Sequence, residues 1–201
     1  MGRYVALRNG GAGVHPTQNY GYDPTGQLTS DSSNSYSFDL TGNRTMTGYT
    51  VTTNNQYSTD GTWNYTYNNE GAITQKTNIS TGELWLYTWD HNNRLIKAEH
   101  KASSGGAVDI RVEFVYDALG NRVERSYDAD GDGSGSATIE KYAFDPAGNP
   151  WADLDSSGSL TTRRLFADAV DALFARVSAS GSVDWLLDDR LGSIRDILNS
   201  S

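Results

Sequence analysis

Cysteine is absent from the 201 residues, which removes disulfides, thiolate nucleophiles and Cys-ligated zinc together. No apolar run reaches the length of a membrane span, and the opening "MGRYVALRNG" has neither the apolar stretch nor the small-residue cleavage site of a signal peptide. No transmembrane segment and no signal peptide are expected in this chain. Basic residues are scattered and outnumbered, with a net charge of -9 at pH 7 and a pI near 4.7. Phosphate-backbone binding needs clustered Lys and Arg, so nucleic acid is excluded as an expected partner. Proline occurs only four times, and aliphatic side chains are too sparse for a helical bundle of this length. Gly, Ser, Thr and Asn abound instead, Tyr and Trp are the main apolar mass, and they alternate with period 2. Such segments favour strands, and the expected class is all-β.

One stretch shows how the strands are joined. "YGYDPTGQLTS" sets Tyr20 and Tyr22 on alternate residues ahead of Asp23, Pro24, Thr25 and Gly26. Asp suits the first position of a type I turn, Pro the second, and Gly the left-handed seat that closes a three-residue hairpin loop. Asp23 should then face Gln27, and Tyr22 should face Leu28. The same grammar recurs as Phe38, Asp39, Gly42, Arg44; as Tyr67, Asn68, Gly71, Ile73; and as Trp89, Asp90, Asn93, Leu95, where Asn takes the left-handed seat. Further copies are Tyr116, Asp117, Gly120, Arg122 and Phe144, Asp145, Gly148, Pro150, with weaker ones around Gly61, Gly158, Gly181 and Gly192. Turn centres fall about 10 to 28 residues apart, the spacing of short strands joined by hairpins and some longer loops. The chain reads as an antiparallel hairpin array.

This unit, Tyr-x-Tyr/Phe-Asp-x-x-Gly-x-Leu/Arg, resembles the YD repeat of Rhs proteins, bacterial polymorphic toxins, the teneurins and the insecticidal toxin complexes. Near the C-terminus, Asp189, Arg190, Leu191, Gly192, Ser193, Ile194 and Arg195 are similar to the Asp-x-Leu-Gly-Ser-Val/Ile-Arg segment of the Rhs repeat-associated core. The resemblance spans Tyr20 to Ile197 and divides the chain into a lead-in (1–19), a YD-repeat array (20–160) and a core segment (161–201). It implies a curved β-ribbon, part of a spiral shell that encloses or presents a C-terminal toxin or effector polypeptide, on a secreted or cell-surface protein. The repeats of such proteins do no chemistry. The chain ends at "LNSS" soon after the core motif, so the cleavage segment and the cargo domain are expected to be absent, and with them any enzyme activity.

Other features carry two readings each. Asp128, Asp130 and Asp132 alternate with Gly133 in sixth place, like the opening of a calcium loop, but Gly135 and Ile139 break that pattern at the eighth and twelfth places. A flexible acidic hairpin loop is the alternative, and apart from calcium no cofactor is expected. Arg44 and Arg122 should lie beside the aromatics they face, Phe38 and Tyr116, stacking within the sheet; binding of a ligand anion is the other use of such forks. His15, His91 and His100 have no metal-ligand spacing and read as solvated loop residues. Ser193 lacks the following Gly of a nucleophile elbow. The sequons at Asn43, Asn64 and Asn78 matter only in a eukaryotic secretory route. "FADAVDALFARV" has helical spacing through Val170, Leu173 and Phe174, against which strands are expected from the family pattern.

A meander leaves unpaired edges at both ends. Neither residues 1–19 nor the segment after Ile194 looks like a built cap, so edge-to-edge self-association is expected. Two functions fit the array. One is a structural shell segment; the other is a surface module that binds glycans through its aromatic face. They differ in the exposure of Tyr22, Phe38, Tyr67, Trp89 and Tyr116: packed for the first, open in a groove for the second.

Overall fold

A computed structural model describes residues 19–133, 137–167, 172–189 and 192–199. Turn residues recur at short intervals and the segments between them alternate, which favours strands over helix. Among the described residues there is none.

A two-stranded hairpin comes first, β1 (Gly21–Tyr22) with β2 (Leu28–Ser30), followed by an isolated bridge between Phe38 and Arg44. Fourteen strands then form one sheet. They are β3 (Tyr49–Val51), β4 (Tyr57–Asp60), β5 (Trp63–Tyr67), β6 (Ile73–Asn78), β7 (Leu84–Trp89), β8 (Leu95–Lys101) and β9 (Ile110–Tyr116), continuing as β10 (Arg122–Asp128), β11 (Thr138–Phe144), β12 (Pro150–Leu154), β13 (Leu160–Phe166), β14 (Leu173–Ser178), β15 (Val183–Asp188) and β16 (Ile194–Asn199). Spatial order equals chain order, and the sheet is open, with β3 and β16 at its edges. It runs through residues 160–161 without a break. The antiparallel meander anticipated from the repeats is the observed fold. Leu173 and Phe174 lie in a strand; Val170 and residues 1–18 lie outside the described residues.

Each strand packs only against its sequence neighbours, the one-dimensional arrangement of a repeat protein. A single layer has no second sheet to cover it. The buried hydrophobic residues are accordingly few, Leu84, Ala98, Ala152, Ala175 and Leu186, and most aromatic rings are half-buried among their cross-strand neighbours.

In a meander, successive turns alternate between the two rims of the sheet. One rim therefore collects the turns after β3, β5, β7, β9, β11 and β15, which include the strong copies at Asn68, Asp90, Asp117 and Asp145. At this rim the strand pairing shifts by one residue beside every hairpin, for instance between Thr66 and Tyr67, Thr88 and Trp89, or Arg122 and Glu124. On the opposite rim β12–β13 shifts between Asp153 and Leu154, beside the Asp155 turn, whereas β6–β7, β8–β9, β10–β11 and β14–β15 pair without a shift. Each shift is a bulge, which bends its strand and adds local twist. Most of the aspartate turns, each with its bulge, thus lie on one rim; the Asp155 turn, with its own bulge, lies on the other.

Candidate functional site

The repeated turn is the most elaborated local structure in the chain. Gly26 N–H donates to the Asp23 carbonyl (3.1 Å), and Asp23 N–H to the Gln27 carbonyl (3.0 Å). Tyr22 faces Leu28, as the sequence predicts. The same pair of bonds closes the turns at Asp39, Asn68, Asp90, Asp117, Asp145, Asp155, Ser178 and Asp189, with Gly42, Gly71, Asn93, Gly120, Gly148, Gly158, Gly181 and Gly192 at positive φ. Gly61 is also at positive φ, but its link between β4 and β5 lacks this bond pair and is a different turn.

The aspartate is more than a turn former. In Asp23, Asp39, Asp90, Asp117, Asp145 and Asp155, Oδ1 accepts backbone N–H groups from the residues two and four further on, at 2.8 to 2.9 Å. Oδ2 accepts from the fourth residue's side chain, Asn43, Asn121 and Asn149 through Nδ2 and Arg94 through Nε. Hydrogen bonds to the ionised form favour it. The Asn43 side chain, then Thr41, hold Asp39 down at about 2, and the Asn121 side chain and the Asn149 backbone lead in lowering Asp117 and Asp145.

Two parts of this unit escaped the sequence reading. One is the Asn after the left-handed Gly, although "TGNR", "LGNR" and "AGNP" displayed it; Asn43 and Asn149 are buried. The other is a full turn at Thr52, with Asn55 at φ 59 and Val51 facing Tyr57. Its flanks alternate correctly, but Thr replaces Asp and Asn replaces Gly.

The turns are joined along the rim. Tyr67 Oη donates to the Tyr57 carbonyl (2.8 Å), Trp89 Nε1 to the Ile73 carbonyl (2.8 Å), and Tyr116 Oη to the Leu95 carbonyl (2.9 Å). Each acceptor is the residue that faces the previous turn's leading side chain. Arg94 extends the link: it pairs with Asp90 (2.7 Å), donates to the Asp117 carbonyl (3.3 Å), and lies 4.7 Å over the Tyr116 ring. Of the five diagnostic aromatics only Tyr22 is exposed; Phe38, Tyr67, Trp89 and Tyr116 are half-buried. Tyr67, Trp89 and Tyr116 form a ladder through carbonyls, and no ring stacking is found among the five.

The arginine expectation needs correction. Arg44 lies 5.4 Å over Tyr36, not Phe38, and Arg122 lies over Phe114 (5.4 Å) and Tyr142 (5.5 Å), not Tyr116. The long side chains cross diagonally beside the bulge instead of standing against the facing residue. His100 also differs from its expectation. It sits in β8, with Nδ1 against Asp109 (2.5 Å), Nε2 against Glu83 (3.1 Å) and the Trp85 ring 4.8 Å away. His91 stays in its turn, between Asp90 and Asn93, and His15 lies outside the described residues.

In the acidic loop, carboxylate oxygens of Asp128, Asp130 and Asp132 come within 4.8 Å of one another, close enough for one cation. Asp128, however, is buried and already accepts Gly131 N–H at Oδ1 and Gly133 N–H at Oδ2, both at 3.0 Å. A hydrogen bond between Asp128 and Asp130 lowers the first and raises the second. Residues 128–133 are therefore tied together by their own amides; Gly135 lies outside the described residues. Of the core motif, Gly192 closes its turn onto Asp189, Ser193 N–H donates to Asp189, and Arg195 pairs with Asp189 Oδ2 (2.6 Å). Leu191 and Arg190 lie outside the described residues.

No family model and no curated protein matches the chain. Solved structures do. The crystal structure of TcdB2-TccC3-TEV aligns at 16% identity over 91% of this chain, with a TM-score of 0.43. A Photorhabdus luminescens Tc holotoxin pore with mutant TccC3 aligns at 16% over 91%, TM-score 0.42, and TcdB2-TccC3 at 16% over 92%, TM-score 0.41. The chain spans 9% of the length of each of these chains. No described helix is long and apolar enough to cross a membrane, which says nothing of a β-barrel.

Proposed function

We propose that this chain is a structural segment of an Rhs-type β-shell, on a secreted or cell-surface protein, and that it encloses or presents a toxin or effector polypeptide without doing chemistry itself. The observation that carries this reading is the rim: repeat after repeat closes the same aspartate-locked turn and is tied to its neighbour through a buried or half-buried polar link. The machinery of the repeat is directed at holding a ribbon together, and Tyr67, Trp89 and Tyr116 are engaged in that task through their polar atoms.

The last described strand presents apolar side chains at the sheet edge. All of β16 is exposed, with Ile194, Ile197 and Leu198 near half-exposed, beside Trp185 and Leu187 on β15. Such an edge pairs with another strand, from a longer parent chain or a second copy. Sedimentation velocity across a concentration series, with circular dichroism on the same samples, tests this. A β spectrum with mass growing with concentration is expected; a monomer of constant mass refutes the open-edge reading. For enclosure, an unfolded reporter fused after Ser201 should resist protease longer than the free reporter once the chain has associated, and equal half-lives would refute it.

A further inference from the structure

Between the Phe38–Arg44 bridge and β6 lies an open pocket of about 330 Å3, lined by Arg44, Tyr49, Tyr57, Asp60, Tyr65, Tyr67 and Ile73. Its size is near the lower end of ligand pockets, roughly 300 to 1,000 Å3, and suits one small head group. Tyr49 and Tyr57 meet edge to face, centroids 5.6 Å apart at 74°, giving two walls close to perpendicular. Elsewhere Lys or Arg side chains lie over aromatic rings: Lys76 over Trp63 and Trp85, Arg94 over Tyr116, Arg122 over Phe114 and Tyr142. Among the described residues no Lys or Arg lies over Tyr49, Tyr57, Tyr65 or Tyr67 in this way, although Asp60 supplies a carboxylate beside them.

The hydrogen bonds decide what kind of cation fits. Tyr65 Oη donates to Asp60 Oδ2 (2.8 Å), Tyr67 Oη donates to the Tyr57 carbonyl (2.8 Å), and Asp60 Oδ1 accepts Thr62 and Trp63 N–H groups. The Asp60 carboxylate is thus engaged by three donors; a methylated ammonium has no N–H groups to satisfy and binds ring faces directly, whereas a primary ammonium would need three acceptors. Asp60 stays ionised against its partial burial through the Trp63 and Thr62 amides. Arg44 is exposed and has no ion pair among the described residues; its backbone N–H donates to Tyr57 Oη (2.7 Å) and its guanidinium lies over Tyr36, so the side chain suits an anionic group on the same ligand.

We propose that this pocket binds a quaternary-ammonium zwitterion of the phosphocholine type, the trimethylammonium among the four tyrosines beside Asp60 and the phosphate on Arg44. This site is independent of the shell reading. Tyrosine fluorescence and NMR titrations of the full chain use choline, phosphocholine, inorganic phosphate and the uncharged carbon isostere of choline. Choline should saturate, and phosphocholine should bind about tenfold more tightly. Tyr49→Leu should weaken both about tenfold, while Arg44→Met should remove only the advantage of phosphocholine, with the β spectrum unchanged in each. The proposal is overturned if no cation saturates, if the isostere matches choline, if phosphate alone matches phosphocholine, or if Arg44→Met leaves phosphocholine binding intact. Binding to phosphatidylcholine vesicles as well would assign the unit to a lipid surface; binding of soluble phosphocholine alone would assign it to a free or polymer-borne group.

Discussion

Replacing Gly148 by Ala isolates the backbone requirement of the repeated turn. Gly148 has φ 88, and a Cβ added there meets nothing within 4 Å, so crowding plays no part. An L-residue in the left-handed region costs about 1–2 kcal/mol. Ala also restricts the unfolded chain, which returns ~0.4–1 kcal/mol, leaving a net loss of about 1 kcal/mol. For a chain of this length that lowers Tm by about 2–4 °C. Gly148→Asn should lose much less, because Asn55 and Asn93 already occupy the equivalent seat at φ 59 and 58. Gly131→Ala is the contrasting case. At φ 67 its Cβ would stand 2.8 Å from the Ile110 nitrogen and 2.9 Å from the Val108 carbonyl carbon, backbone atoms that cannot swing aside. Overpacking of about 1–3 kcal/mol adds to the φ term, for a total near 2–4 kcal/mol. Thermal melts followed by circular dichroism read all three. Equal stability of Gly148→Ala and the unmodified chain, or equal losses at Gly148 and Gly131, would refute the reasoning.

The turn aspartates make the array acid-sensitive. The folded pKa values of Asp23, Asp39, Asp90, Asp117, Asp145 and Asp155 lie below the ordinary 3.8, Asp39 at about 2, so their contribution is complete above about pH 4 and is lost as pH falls toward 2. Melts across that window should show Tm dropping, and Asp39→Asn, which cannot titrate, should flatten the slope; an unchanged slope would count against the turns as its source. Tyr116→Phe leaves the Leu95 carbonyl without its 2.9 Å donor and should cost about 1–2 kcal/mol in urea unfolding, with hydrogen exchange quickened at the turns on either side. Titration of calcium by calorimetry should give no heat, because Asp128 already engages backbone amides through both oxygens; heat abolished by Asp130→Asn would reinstate the calcium loop.

What could be foreseen was whatever depends on neighbours in sequence. Asp23-Pro24-Thr25-Gly26 encodes its own turn, because φ preferences and the reach of one carboxylate are properties of a few adjacent residues, and alternation then makes Tyr22 face Leu28. The all-β class and the open meander follow from repeating that unit. The turn at Thr52 was hidden because the polypeptide tolerates Thr and Asn where the pattern asks for Asp and Gly, their flanks compensating through pairing.

The rest depends on where strands distant in sequence come to lie. That Tyr116 donates to Leu95, that Arg122 lies over Phe114 and Tyr142 instead of Tyr116, that Glu83 and Asp109 meet His100, and that Tyr49, Tyr57, Tyr65 and Tyr67 line one open pocket are consequences of register, twist and bulges. A bulge of one residue redirects every side chain beyond it. Sequence alone determined the unit and its repetition; only the assembled sheet, through cross-strand register, decided which of those units touch and what they surround.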